Sequence, residues 1–149
     1  MKVLLPIDES QFSELAAQEI EKRFATPDTL VRVLHVVATF VPPAAALLDS
    51  GGSVEGVREE VASRFQHLAE GIADRLRIRG INAETAIREG DPGKIIVGEA
   101  GDWGADLIVM GSHGYGRLVR ALLGSVAQYV VDHAPCSVEI VHDKEHQGA

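Results

Sequence analysis

The chain has 149 residues, 46% hydrophobic and 24% charged, and a formal net charge of −8. That length suits one domain with its own core. The acidic balance leaves no basic stripe, which argues against nucleic acid or an anionic membrane as the main partner; a single nucleotide needs only a local positive field.

The single cysteine, Cys136, excludes an internal disulfide framework and fits a reducing compartment. The opening MKVLLPIDES is too short an apolar run for a signal peptide, and no window has the length of a transmembrane helix. A cytoplasmic protein is expected.

In chain order, residues 2–7 form a compact apolar run that reads as a buried strand, with a turn at Asp8-Glu9-Ser10. Ser10 or Ser13 can cap the next helix, whose apolar positions Leu15, Ala16, Ile20 and Phe24 recur at helical spacing until Pro27. Residues 29–37 (TLVRVLHVV) are β-branched and predict a second strand. Residues 38–53 are irregular, with Pro42-Pro43 and Gly51-Gly52, and a loop of that length is commonly functional or disordered. Residues 54–79 carry Val57, Val61, Phe65, Leu68, Ile72 and Leu76 near a 3.6-residue period, a long amphipathic helix stopped by Gly80.

Residues 81–88 predict a third strand. The turn Gly90-Asp91-Pro92-Gly93 then places Asp91 as cap and Pro92 at the first helical position of a helix reaching about Trp103. Residues 106–111 predict a fourth strand, residues 125–132 a helix, residues 136–142 a last strand, and residues 144–149 a polar tail beyond the domain at 1–143. Strands alternating with helices demand a mostly parallel sheet covered on both faces. With right-handed crossovers, the fold class is a doubly wound α/β sandwich of about five strands, Rossmann-like.

In such sheets ligands bind beyond the carboxyl ends of the strands, where the strand order reverses. Asp8, Val36-Val37 and the glycine loop from Gly111 stand at those ends. If strands one and four are neighbours, Asp8 and the loop flank one crevice. The carboxylate there can accept from ribose hydroxyls, and apolar backbone near Ile7 and Val36 can sandwich a purine. Glycines let the chain turn sharply and a phosphate approach, and a helix opening at Gly124-Ser125 offers backbone N–H groups and a positive dipole end. The spacing is not a P-loop, and Gly111, Gly114 and Gly116 do not make a G-x-G-x-x-G fingerprint. Taken alone, the glycine loop is compatible with a plain tight connection, Asp8 with a helix cap, and His113 with a solvent-facing loop residue.

What does stand is Gly111-x2-Gly114-x9-Gly124-Ser125, accompanied by VLLPIDES, LHVV, GDPGKIIV and ADLIVMGSHGYG. On these residues essentially the whole chain resembles the universal stress protein family, of the kind that binds ATP. The resemblance implies a sheet of order 3-2-1-4-5. It implies that Pro6, Ile7, Asp8 and Val36 contact base and ribose. Met110, Gly111, Ser112, His113 and Gly114 would border the nucleotide, and Gly124, Ser125 and Val126 would hold its phosphates. It also implies ATP or another adenine nucleotide with Mg²⁺ or Mn²⁺ carried mainly on phosphate oxygens and water. The resemblance further implies a homodimer through the last strand, with Val138 and Ile140 at the edge. Glu139 departs from the family's apolar strand there, and two such carboxylates near a two-fold axis would repel.

Arg117 and Arg120, just past the loop, are equally readable as phosphate contacts or as surface charges. No lysine of the P-loop kind and no water-orienting residue is evident, so a nucleotide-responsive regulatory module is expected rather than an efficient enzyme. Slow or partner-dependent hydrolysis, and an interaction protein without nucleotide, are the alternatives.

Overall fold

The computed structural model describes residues 1–38, 53–113 and 123–143. Five strands, β1 (Lys2–Ile7), β2 (Leu30–Val37), β3 (Asn82–Glu89), β4 (Leu107–Gly111) and β5 (Ser137–Val141), form one sheet. The helices among the described residues are α1 (Gln11–Arg23), α2 (Val54–Ile78), α3 (Pro92–Trp103) and α4 (Ser125–His133). The strand order is β3-β2-β1-β4-β5, and every pairing is parallel.

The sequence explains this directly. In β1, Val3, Leu4 and Leu5 are fully buried, as a central strand covered on both faces requires. Val3 and Leu5 face a core shared with Ala16, Ala17 and Ile20 of α1 and with Ile72, Ala73 and Leu76 of α2. Leu4 faces the opposite core, with Leu34, Ile96, Ile108, Met110, Ala127 and Val130. The two-residue period of the strand thus feeds two helical layers.

Helix ends depart from the sequence expectations in instructive ways. Helix α1 stops at Arg23, short of Pro27, with the Phe24 N–H donating to the Ile20 carbonyl. Neither Ser10 nor Asp91 caps its helix through its side chain, although both have the extended backbone of an N-cap. At the end of α2, Gly80 takes φ +82°. Its N–H donates to Arg77, while the Ile81 N–H donates to Leu76, a Schellman closure. Ile81 therefore belongs to that closure, buried against Leu76, and β3 starts one residue later than predicted.

Glycines separate into two kinds. A Cβ on Gly93 would lie 2.7 Å from Cδ1 of Tyr129, so this glycine lets α3 and α4 pack closely. Gly71 is an exposed position within α2 with nothing near a Cβ. Gly71→Ala is expected to stabilise the protein by about 0.5–1 kcal/mol, raising the melting temperature by a few degrees in a thermal melt.

Candidate functional site

Beyond the C-terminal ends of β1, β2 and β4 lies a cavity of about 460 Å³, within the range of small-ligand sites. It sits where the sheet reverses: β1 pairs with β2 on one side and β4 on the other. Ten of the residues singled out in the sequence border it: Pro6, Ile7, Asp8, Val36, Met110, Gly111, His113, Gly124, Ser125 and Val126. Ser112 does not. It is 1% exposed and faces inward, its carbonyl accepting from the Gly124 N–H at 2.8 Å. Gly114, Arg117 and Arg120 lie outside the described residues.

Each wall has a local cause. The carboxylate of Asp8 is held by the start of α1: Oδ1 accepts from the Ser10 N–H at 2.8 Å and from the Ser13 hydroxyl at 2.9 Å. The Ser13 Oγ in turn accepts from the Asp8 N–H at 2.7 Å. Asp8 therefore both organises the entry to α1 and borders the cavity. On the opposite side, Leu34, Ile96, Met110 and Ala127 are nearly or fully buried and offer an apolar surface.

The N-terminus of α4 supplies the polar end. Its N-cap residue, Gly124, has no side chain to cap it. The Gly124 carbonyl already accepts from Gln128, and the Gly124 N–H is taken by Ser112. The N–H groups of Ser125, Val126 and Ala127 precede the first intrahelical donor, Gln128, and so have no acceptor within the helix; these three residues border the cavity. Orphan donors at the positive end of a helix form an anion site.

Gly111 borders the cavity and has a second use in packing. Any Cβ there would collide with Phe12 Cβ and lie 2.9 Å from the Phe12 carbonyl. Its missing side chain admits α1, in addition to any room it leaves for a ligand.

Sequence reasoning missed Ser13, Leu34, His35, Ala38, Pro92, Ile96 and Ala127, all of which border the cavity. His35 had a readable signal, a lone polar residue near the end of an apolar strand. Its Nδ1 is 2.9 Å from the Ile7 carbonyl, which can only accept, so Nδ1 carries the proton. The ring stacks on Phe65 with centroids 3.6 Å apart. Burial holds its pKa below the usual histidine value, against the opposing pull of the Ile7 carbonyl and of Asp8 and Glu9. The unfolded chain consequently takes up the proton first, so stability is lost as pH falls from about 6.5 towards the lowered folded value. His35→Phe is expected to flatten denaturant stability across that window; an unchanged slope would contradict the assignment.

A doubly wound parallel sheet with a half-apolar crevice at its switch point, bordered by a carboxylate and a helix N-terminus, is the Rossmann-like class of α/β fold, whose ligand crevices lie at that point. The universal stress protein family model matches residues 1–142, and the chain belongs to that family. It is similar to the universal stress protein MJ0531 of Methanocaldococcus jannaschii, at 36% identity over 94% of this chain and 81% of that one. The solved structure of MJ0577, from the same organism, superposes with a TM-score of 0.81 at 29% identity, covering 96% of both chains. More distantly, at 19% identity and a TM-score of 0.66, the fold is shared with a universal stress protein family protein of Arabidopsis thaliana solved with AMP bound. That match covers 100% of this chain and 96% of the other.

Proposed function

We propose that the crevice binds an adenine nucleotide, with ATP as the expected form, and that the protein is a cytoplasmic, nucleotide-responsive module of the stress response. One observation carries this reading. A single cavity gathers an apolar wall, the Asp8 carboxylate and the N-terminus of α4. These are the parts that a flat base, a ribose and a phosphate chain each need. The Arabidopsis protein holds AMP on the same fold; that likeness bears on the fold, and the nucleotide reading rests on the cavity.

Among the described residues no three His, Cys, Asp or Glu side chains cluster to hold a metal ion. The described donor set thus offers no protein cage, and Mg²⁺ or Mn²⁺ would arrive on the nucleotide's own phosphates. The described residues favour binding over turnover, because the cavity's polar groups suit holding phosphates. Calorimetric titration with ATP, AMP and GTP tests the reading. Adenine nucleotides should bind with roughly micromolar affinity and GTP more weakly. No heat from any adenine nucleotide at millimolar concentration would overturn it.

Homodimerisation through β5 remains part of the proposal. Val138 and Ile140 lean on the core beside α3 and α4. Glu139 is ion-paired with Arg23 of α1, which also raises the Arg23 pKa, so its charge is already answered within the chain. Arg23→Ala would leave that charge unanswered on the strand edge. Sedimentation at low salt should then show a smaller dimer fraction than wild type, with Glu139→Gln restoring it in the double variant.

A further inference from the structure

The two edges of the sheet are treated differently by the side chains around them. Along β3 the backbone alternates. The Gly90 N–H, just past the strand, donates to the Val37 carbonyl of β2 at 2.9 Å, so every second residue back from it turns its amide groups to β2. Ala83, Thr85 and Ile87 therefore turn theirs outward, and among the described residues no backbone group meets them. Bare edge groups of this kind are a template for a strand from another molecule.

Two arginines stand on that edge. The Arg77 guanidinium, at the end of α2, donates twice to the Ala83 carbonyl, from Nε at 3.0 Å and from Nη2 at 2.8 Å. Its third nitrogen, Nη1, is held by Asp74 at 2.7 Å, which fixes the fork in place. Arg88 donates from Nη1 to the Ile87 carbonyl at 3.1 Å, while its Nε and Nη2 reach Glu99 of α3 at 3.2 and 3.1 Å. Two of the outward carbonyls are thus already taken, each by a bulky cation anchored to a carboxylate. The other edge lacks this cover. The Val141 carbonyl of β5 accepts from the Ser112 N–H on the β4 side, which leaves the backbone of Val138 and Ile140 turned outward. Among the described residues no side chain bonds to either backbone.

We propose that Arg77 and Arg88 shield the β3 edge from a strand of a second copy of this chain, and so leave β5 as the open edge of the described sheet. The consequence is closure. A copy with two joinable edges adds neighbours without end, whereas a copy with one stops at a pair. The shielding does not involve the nucleotide. It concerns β3 where the proposed dimer concerns β5, so that either can fail without the other.

The test compares wild type with the double variant Arg77→Ala, Arg88→Ala by sedimentation velocity over a range of concentrations, with thermal melts as a check on folding. Wild type should stop at a monomer or a pair. The double variant should form species larger than a pair that grow with concentration. It does so although it has lost two positive charges from a chain of net charge −8, a change that by itself drives copies apart. Hydrogen exchange locates the contact: the amides of Ala83, Thr85 and Ile87 should exchange about tenfold or more slowly in the assembled variant than in wild type. A folded double variant that sediments like wild type would overturn the inference, as would larger species whose β3 amides stay unprotected. Wild-type species larger than a pair with those amides protected would overturn it too. If the double variant does not fold, Arg77→Ala alone is scored in the same way. Wild type found only as a monomer would bring down the β5 dimer and leave the shielding of β3 standing.

Discussion

Gly111→Val should lower the melting temperature by about 10 °C and, in the same stroke, remove ligand binding. The glycine lies at the end of β4, where a Cβ would meet backbone atoms of Phe12 at 2.9 Å. A flexible side chain could swing away; a carbonyl in the first turn of a helix cannot. Helix α1 would have to retreat from the sheet, and overpacking of this kind costs on the order of 3 kcal/mol. At about 2–4 °C per kcal/mol for a domain of this size, the shift is near 10 °C. The same retreat would disturb the Asp8–Ser13 pairing and the Phe12 contact that steadies His113. Gly71→Ala is the internal control, since both are glycine replacements and the expected signs are opposite. A melting temperature unchanged in Gly111→Val would show that α1 is free to shift, contrary to the packing described.

The second large effect is on binding alone. Ser125 is exposed at the first position of α4, next to the N–H groups that face the cavity. An aspartate there improves the helix by about 0.3–1 kcal/mol through its dipole, so Ser125→Asp should fold at least as well as wild type. The same carboxylate would face incoming phosphates as a like charge. Affinity for ATP should fall on the order of 100-fold, with adenosine little affected. A variant that folds and binds ATP normally would remove α4 from the phosphate site.

The fold was legible because its signals are redundant. Apolar β1, the Pro92 start of α3, Gly80 and the period of α2 each pointed to one element, and alternation of strands and helices left few topologies. Helix caps were less legible. Ser10 and Asp91 are good capping types, yet tertiary geometry sent Ser13 to Asp8 instead, and no sequence pattern encodes that choice. The site was legible where chemistry is concentrated at strand ends, as with Asp8 and Gly124-Ser125. It was not legible where a wall is built from ordinary core residues. Leu34, Ile96 and Ala127 look like any packed side chain until the helices are placed. Gly111 shows a third case: it was singled out for a ligand, and the space beside it is taken up by Phe12. For His113 the resemblance implied a place beside the nucleotide, but its two orienting contacts, from Ser112 beside it and from Phe12 on a helix far away in sequence, were not legible.

The central claim, that an adenine nucleotide occupies the crevice at the β1–β4 switch point, is tested most directly by backbone amide chemical-shift mapping during titration with ATP. The account predicts saturable shifts concentrated at Ile7, Asp8, Val36, Gly111, Ser125 and Val126, with β3 and the far end of α2 unmoved. Absence of saturable shifts, or shifts centred on another face of the sheet, would contradict it.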